Sequence, residues 1–271
     1  MRTPIIILIA LTIFIPQACR EGSANQVDET RYVCPPCGHN CMETTFERAG
    51  ACGTCGMTLV TMAEAKATLA AQEAAGGPHA SNEEQMNVAI LVFDGVQIID
   101  YTGPYEVFAG AGFNVYTVAK TRDAITTVYG MVVTPAYTFD EHPEPDIVLV
   151  PGGEVLPVQS DPTVQDWLRS NAENAGTVIS VCNGAFILAK AGLLRGLKAT
   201  TTRDLVSGLA SAAPDIEAVH NQRWVDNGKI ITTGGLSAGI DGALHVVSKI
   251  RGRAFAERLA TGLEYRWQQE P

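Results

Sequence analysis

Cysteine chemistry dominates what this sequence can do, and it comes in two forms. Of the seven cysteines, Cys34, Cys37, Cys41, Cys52 and Cys55 crowd into one short span, while Cys19 and Cys182 stand apart. Cys34 and Cys37 form one C-x2-C pair and Cys52 and Cys55 a second, with fourteen residues between them. Each pair turns two sulfurs onto one side of a tight knuckle, which suits a tetrahedral thiolate site. Gly38 and Gly56 directly follow the pairs, where a knuckle needs tolerance of positive φ. Structural Zn2+ is the expected occupant of Cys34, Cys37, Cys52 and Cys55. Disulfides are the alternative in an exported protein. Cys41 and His39 leave the ligand set open and admit a softer ion such as Cu(I).

Cys182 offers nucleophilic chemistry instead. It ends the apolar run "GTVISVC" and precedes "NGAFILAKAG", a helical pattern. A cysteine at a sharp strand-to-helix turn is raised at the carboxyl end of a sheet and faces a helix N-terminus, whose dipole lowers a thiol pKa. The arrangement is similar to the nucleophile elbow of hydrolases, with cysteine in the serine position. The alternative is a buried, inert small hydrophobe. "PGG" at Pro151 to Gly153 ends the preceding strand and offers a backbone N–H across the site, complementing that of Asn183 in an oxyanion hole. "DGVQIIDYTGPYEVF" supplies Asp100 and Glu106, either of which could reach the thiol as acid or base.

These groups need a scaffold. "NVAILVF", "FNVYTVA", "DIVLVPGG" and "GTVISVC" are short, nearly continuous apolar runs, as expected of parallel strands covered on both faces. "GPYEVFAGAG", "DPTVQDWLRSNAENA" and "NGAFILAKAGLL" place apolar residues three and four apart, and the second opens with Asp161 as cap and Pro162 at the first helical position. Strands alternating with helices predict an α/β domain with a doubly wound, mostly parallel sheet over residues 87–271. The chain closes with two further helical stretches, "AGIDGALHVVSKIRG" and "AFAERLATGLEYRW".

Ahead of that domain the texture is different. Residues 1–19 have a basic residue, an apolar run from Ile5 to Ile15 and a small residue before Cys19, the anatomy of a signal peptide. Lipidation of Cys19, as in a lipoprotein, simple cleavage and an uncleaved anchor are the three expected fates, and each exports the protein to the periplasm or the membrane surface. Residues 20–31 read as a tether, 32–61 as the cysteine-rich module and 62–86 as a helix followed by a Gly- and Pro-containing linker. A module of this size lacks the apolar residues for a core of its own and requires a cross-link. The formal net charge of −10 disfavours nucleic acid and anionic membrane surfaces as partners, and leaves small molecules and proteins.

Four separated motifs, "LVFDGVQIIDYTGPYEVF", "DIVLVPGG", "ISVCNGAFILAKAGLL" and "DNGKIITTGGLSAGIDGALHVV", together resemble the ThiJ/PfpI superfamily of the class I glutamine amidotransferase-like fold. The likeness is nearest to the isonitrile hydratase branch and to the amidotransferase-like domains of AraC-type regulators, and it runs from about Asn87 to Trp267. It implies a flavodoxin-like architecture and Cys182 as nucleophile. It also implies Asp100 as the acidic residue bonded to it, Gly153 and Asn183 as oxyanion-binding amides, and Glu106 as a structural residue of the "GPxEVF" helix. It further implies a homodimer, no cofactor for the α/β site, and hydration of an isonitrile to a formamide. A glyoxalase or hydrolase-like reaction is possible at the same site. The alternative is a ligand-binding or redox- or metal-sensing module using the same cysteine. The N-terminal "YVC...GACGTCGMTLV" resembles short zinc-ribbon-like, heavy-metal-binding modules, with Gly53 where those have proline.

The sequence departs from the family pattern at three places. Thr202 and Arg203 stand where relatives have His-Trp, and Asn183 replaces a threonine after the cysteine. "HPE" at His142 to Glu144 precedes the cysteine, so a Cys-His-Glu triad is not expected, and His220 and His245 read as structural.

Overall fold

The computed structural model describes residues 30–34, 45–53, 57–74 and 85–270. The chain divides into two compact units, Met1–Gln72 and Glu73–Pro271. Cys19, Cys37, His39, Cys41 and Cys55, the signal segment, and most of the tether and linker lie outside the described residues.

In the first unit, β1 (Tyr32–Val33) is the middle strand, antiparallel to both β2 (Thr45–Phe46) and β3 (Val60–Thr61). Cys34 leaves β1, and Cys52 lies in a turn closed by its N–H on the Met57 carbonyl at 2.8 Å. Both are buried in one small cluster with Leu59, against which Tyr32 and Phe46 pack. Helix α1 (Met62–Ala74) follows β3 directly. Thr61 and Glu64 start it as a capping box: the Glu64 carboxylate accepts the Thr61 N–H at 2.8 Å and the Thr61 hydroxyl accepts the Glu64 N–H at 3.2 Å.

The second unit is built on a seven-stranded sheet. Its elements in chain order are β4 (Asn87–Leu91), α2 (Ile98–Gly110), β5 (Asn114–Ala119), a hairpin of β6 (Ile125–Thr126) and β7 (Val132–Val133), β8 (Tyr137–Thr138), β9 (Ile147–Val150), α3 (Val155–Val158), α4 (Pro162–Asn174), β10 (Thr177–Ser180) and α5 (Gly184–Lys190). There follow β11 (Lys198–Ala199), α6 (Val206–Ala212), β12 (Glu217–Ala218), β13 (Trp224–Asp226), β14 (Ile230–Thr233), α7 (Ala238–Arg251) and α8 (Arg253–Gly262). The order in the sheet is β13-β14-β10-β9-β4-β5-β8, and every neighbouring pair is parallel except β13 with β14. β11 and β12 form a separate parallel pair.

Burial explains the pattern. In β9 all four residues are buried, and in β4 and β10 all but the first, because the central strands are covered on both faces. Helices α2, α7 and α8 pack on one another, while α5 packs with α3 and α6. This is the α/β arrangement with a mostly parallel sheet that the strand-helix alternation predicts.

The sheet is wider than its four apolar runs indicate. β8 is two residues long and too short to register as a run, while β13 and β14 form a hairpin across "DNG", in which Gly228 takes φ +88° and donates its N–H to Asp226 at 2.7 Å. Helix α4 starts as its sequence indicates, with Asp161 accepting the Thr163 N–H at 2.9 Å. Helix α2 begins five residues before "GPYEVFAGAG", at Ile98. That extension places Asp100 in its first turn.

Candidate active site

The carboxyl ends of the parallel strands converge on Cys182. The chain leaves β10, passes through Cys182 at φ +57°, and enters α5 at Gly184. A left-handed backbone is unfavourable for a residue with a side chain, at roughly 1–3 kcal/mol, and it is held here by its surroundings. The Cys182 N–H donates to the Gly234 carbonyl at 3.0 Å, and its own carbonyl accepts the Thr201 hydroxyl at 2.7 Å. Gly184 completes the turn, because a Cβ there would run into the carbonyls of Val150 and Pro151.

Asp100 comes to the thiol from α2. It is fully buried, and its two oxygens are held separately: one accepts the Gly152 N–H at 3.1 Å and the other the Leu236 N–H at 3.2 Å. The carboxyl also hydrogen-bonds the Cys182 thiol. Burial pushes Asp100 up to about 6 against the pull of these three bonds. Gly152 must lack a side chain, since a Cβ there would come 2.8 Å from the Asp100 carboxyl and 2.9 Å from the Cys182 Cβ.

The thiol does not have the low pKa that a helix N-terminus suggests. Burial and the neighbouring Asp100 carboxylate push Cys182 up to about 11, against the opposing pull of the Thr202 hydroxyl and the Asn183 N–H. Burial is the larger cause and the adjacent carboxylate the second. Helix α5 has seven residues and a weak dipole, whereas the carboxylate touches the sulfur. Thiol and carboxyl therefore act as a pair sharing one proton.

Neither expected oxyanion donor is open. Asn183 clamps Gly153 with both halves of its side-chain amide: its oxygen accepts the Gly153 N–H at 2.8 Å and its nitrogen donates to the Gly153 carbonyl at 2.8 Å. The backbone N–H of Asn183 points at the Cys182 sulfur. Gly153 itself sits at φ +132° against the Gly95 carbonyl, where only glycine fits. The structure brings Gly153 and Asn183 to the thiol, but as partners of each other.

Thr202 is a site residue that motif and periodicity do not reveal. Its hydroxyl lies 2.7 Å from the Cys182 sulfur. Either atom can donate in this contact, and a thiol proton directed at Asp100 leaves the hydroxyl able to donate to sulfur. The threonine run "ATTTRD" is the one signal, because Thr201 and Thr202 both reach Cys182 from just beyond β11. Leu236, at φ +57°, gives no signal at all.

The remaining candidates lie elsewhere. Glu106 is exposed on α2. His142 accepts the Trp167 indole N–H at 2.9 Å on Nε2 and meets the Pro143 carbonyl at 2.8 Å through Nδ1, so its ring is a packing element. His245 bonds Asp226 at 2.8 Å and stacks on Trp224, and His220 is on the surface.

The sequence pattern of the DJ-1/PfpI family matches residues 86–249, more than half of the chain. The chain belongs to the DJ-1/PfpI family. It is similar to an isonitrile hydratase of Pseudomonas putida, with 36% identity over 185 residues that cover 66% of this chain and 78% of that one. It is also similar to a deglycase of Thermococcus kodakarensis, 31% identical over 148 residues, 52% of this chain and 89% of that one. Among solved structures, a ThiJ/PfpI family protein from Pseudomonas syringae superposes with a TM-score of 0.61 at 30% identity, covering 72% of this chain and 84% of that one. The DJ-1/PfpI match lies within the second unit and includes neither C-x2-C pair.

Proposed function

We propose that the α/β domain is a cysteine-dependent hydratase that adds water to isonitriles. One observation carries the reading: the thiol is paired with a carboxyl, while the amides that would stabilise an oxyanion are engaged. An isonitrile carbon takes both the nucleophile and the proton, so its first step needs an acid beside the thiol rather than an oxyanion hole. Acyl transfer and carbonyl chemistry need the hole from the start. The likeness to an isonitrile hydratase supports the same choice over a deglycase.

In this mechanism Asp100 takes the thiol proton as sulfur adds to the isonitrile carbon, and returns that proton to the same carbon, giving R–N=CH–S–Cys182. The Thr202 hydroxyl and the Asn183 N–H support the sulfur as charge builds on it. Asp100 then deprotonates water for addition to the thioimidate carbon and passes that proton to the nitrogen, which returns Asp100 to its carboxylate form. Collapse of R–NH–CH(OH)–S–Cys182 expels the thiol and releases the formamide R–NH–CHO. One water is consumed and no electrons are exchanged.

A redox-sensing role would need an exposed thiol of low pKa. Burial and Asp100 both oppose this, which favours the enzymatic reading. The test is formamide production from a simple alkyl isonitrile by the full chain and by Cys182→Ala. Turnover in the wild type and a loss of at least about 10³-fold in the variant is expected. Absence of turnover, or equal turnover by both proteins, overturns the reading.

For the first unit we infer a structural zinc site of Cys34, Cys37, Cys52 and Cys55. The donors fit to the extent that Cys34 and Cys52, far apart in the chain, share one buried cluster. Zinc there would supply the cross-link that so small a core lacks. Export is the companion proposal, resting on the signal-like first nineteen residues. No helix among the described residues is long and apolar enough to cross a membrane. A homodimer and a lipid anchor at Cys19 remain proposals from the family likeness and the signal pattern.

A further inference from the structure

Two hollows adjoin the residues on either side of Cys182, one mainly apolar although Glu154 also lines it, the other polar and without a carboxylate among the described residues. The first, about 630 Å³, has Gly153 and Asn183 at its inner end and Leu156, Pro157, Phe186 and Leu205 further out. It is mainly apolar. Leu156 and Leu205 are 76% and 39% exposed, so large apolar side chains here face open space rather than a core.

The second hollow, about 330 Å³, begins at Thr202 and Gly234, each of which bonds Cys182. Around it stand Arg203, Asn221, Gln222 and Arg223, and no carboxylate lines it among the described residues. The two arginines are not equivalent. Arg223 is committed to Asp241, a fully buried carboxylate that accepts its Nε–H at 2.6 Å. Arg203 is exposed and has no hydrogen-bond or ion-pair partner among the described residues. The hollow thus holds one uncompensated positive charge with amide side chains beside it. A guanidinium in that setting matches a carboxylate, which it can bind through two parallel N–H donors.

We propose that the substrate is an α-isocyano carboxylate with an apolar side chain, the carboxylate held by Arg203 and the side chain lodged against Phe186 and Leu205. This rests on the hydratase reading and adds the substrate class. The elbow lies between the hollows, as a branched carbon requires. Its isocyano group meets the sulfur, its carboxylate turns towards Thr202 and Arg203, and its apolar arm turns towards Asn183 and Phe186. Hydration then yields the N-formyl amino acid, with the same atoms and electrons as in the general mechanism.

The experiment compares an α-isocyano acid carrying a benzyl side chain with its methyl ester on the full chain. The wild type is expected to prefer the acid about tenfold in kcat/KM, mostly through KM, with the preference shrinking at high salt because Arg203 is exposed. Arg203→Met should erase the preference and Arg203→Lys restore part of it. An equal rate on acid and ester, or a preference that survives Arg203→Met, overturns the proposal. The ester is itself an isonitrile, so its turnover without an acid preference sinks the carboxylate site and leaves the hydratase reading standing. If neither compound is turned over although a simple alkyl isonitrile is, the substrate class is wrong and the hydratase reading stands; if no isonitrile is turned over, the hydratase reading fails. The site is then decided by calorimetric binding of N-formylphenylalanine and its methyl ester to Cys182→Ala, where tighter binding of the acid supports the carboxylate site and equal or no binding overturns it.

Discussion

Cys34 and Cys52 are buried with Leu59 under Tyr32 and Phe46, whereas Cys182 faces a carboxyl, a hydroxyl and a backbone amide. In the first setting the sulfurs pack in a small apolar cluster, which suits a sulfur that is held: to a metal, to another sulfur, or as a small hydrophobe. In the second, every neighbour bears on where one proton resides. On the reading proposed above, the same side chain is structural in one unit and chemical in the other. Cysteine spacing and cysteine environment therefore answer separate questions, the first about cross-links and the second about reactivity.

The most drastic way to break this contrast is to remove what holds the small unit. If zinc is bound, metal analysis should find one ion per chain, and either Cys52→Ser or a strong chelator should unfold that unit, since structural zinc contributes on the order of 10 kcal/mol or more to such modules. Unfolding by a reductant alone, with no metal found, would replace zinc by disulfides. Hydrogen exchange along residues 57–68 reads either result without disturbing the α/β domain.

The next effect concerns the proton pair. Asp100→Asn keeps the shape and removes the base, so isonitrile turnover should fall by about 10²- to 10⁴-fold. With the carboxylate repulsion gone, the thiol should titrate below its present value of about 11, while its burial persists. Stability gives an independent sign. The native state holds the Asp100 proton up to about 6 instead of 3.8, so wild-type stability should fall as pH rises through that window. The Asn variant should lack this component, and identical slopes in denaturant titrations would refute the burial account.

Smaller effects sharpen the view of the sulfur. Thr202→Val removes the donor 2.7 Å from it and should slow both turnover and alkylation by about tenfold, while raising the thiol pKa further. Unchanged alkylation would mean that the hydroxyl accepts from the thiol instead of donating to it. Asn183→Ala frees the Gly153 N–H, and hydrolysis of an activated ester should rise by a factor of up to about ten, as one released donor permits. A fall in ester hydrolysis would show that the clamp supports the elbow more than it obstructs it.

Much of this site is legible in the order of residues along the chain. The elbow follows from an apolar run, a cysteine and Asn-Gly ahead of a helix, all local. Asp100 is one of three acidic residues in a single motif, with Asp94 and Glu106, and without the family resemblance the choice among them needs the helix to start at Ile98 rather than at Gly103. Thr202 is not legible as a partner of the sulfur. It lies three residues beyond β11, outside the main sheet, and no periodicity reports which loop meets which turn. The Asn183 clamp is equally hidden, since a side-chain amide reaching Gly153 depends on how close β9 and β10 bring their ends.

Features that depend on near neighbours in the chain are written in the sequence: the buried parallel strands, the Asp161 cap, the strand-to-helix turn at Cys182, and the two C-x2-C pairs. Which donors are spent, which arginine is unpaired, and whether the thiol is ionised emerge only when the chain is folded. Those are properties of burial and of charges acting through space, and residues that are remote in the chain set them.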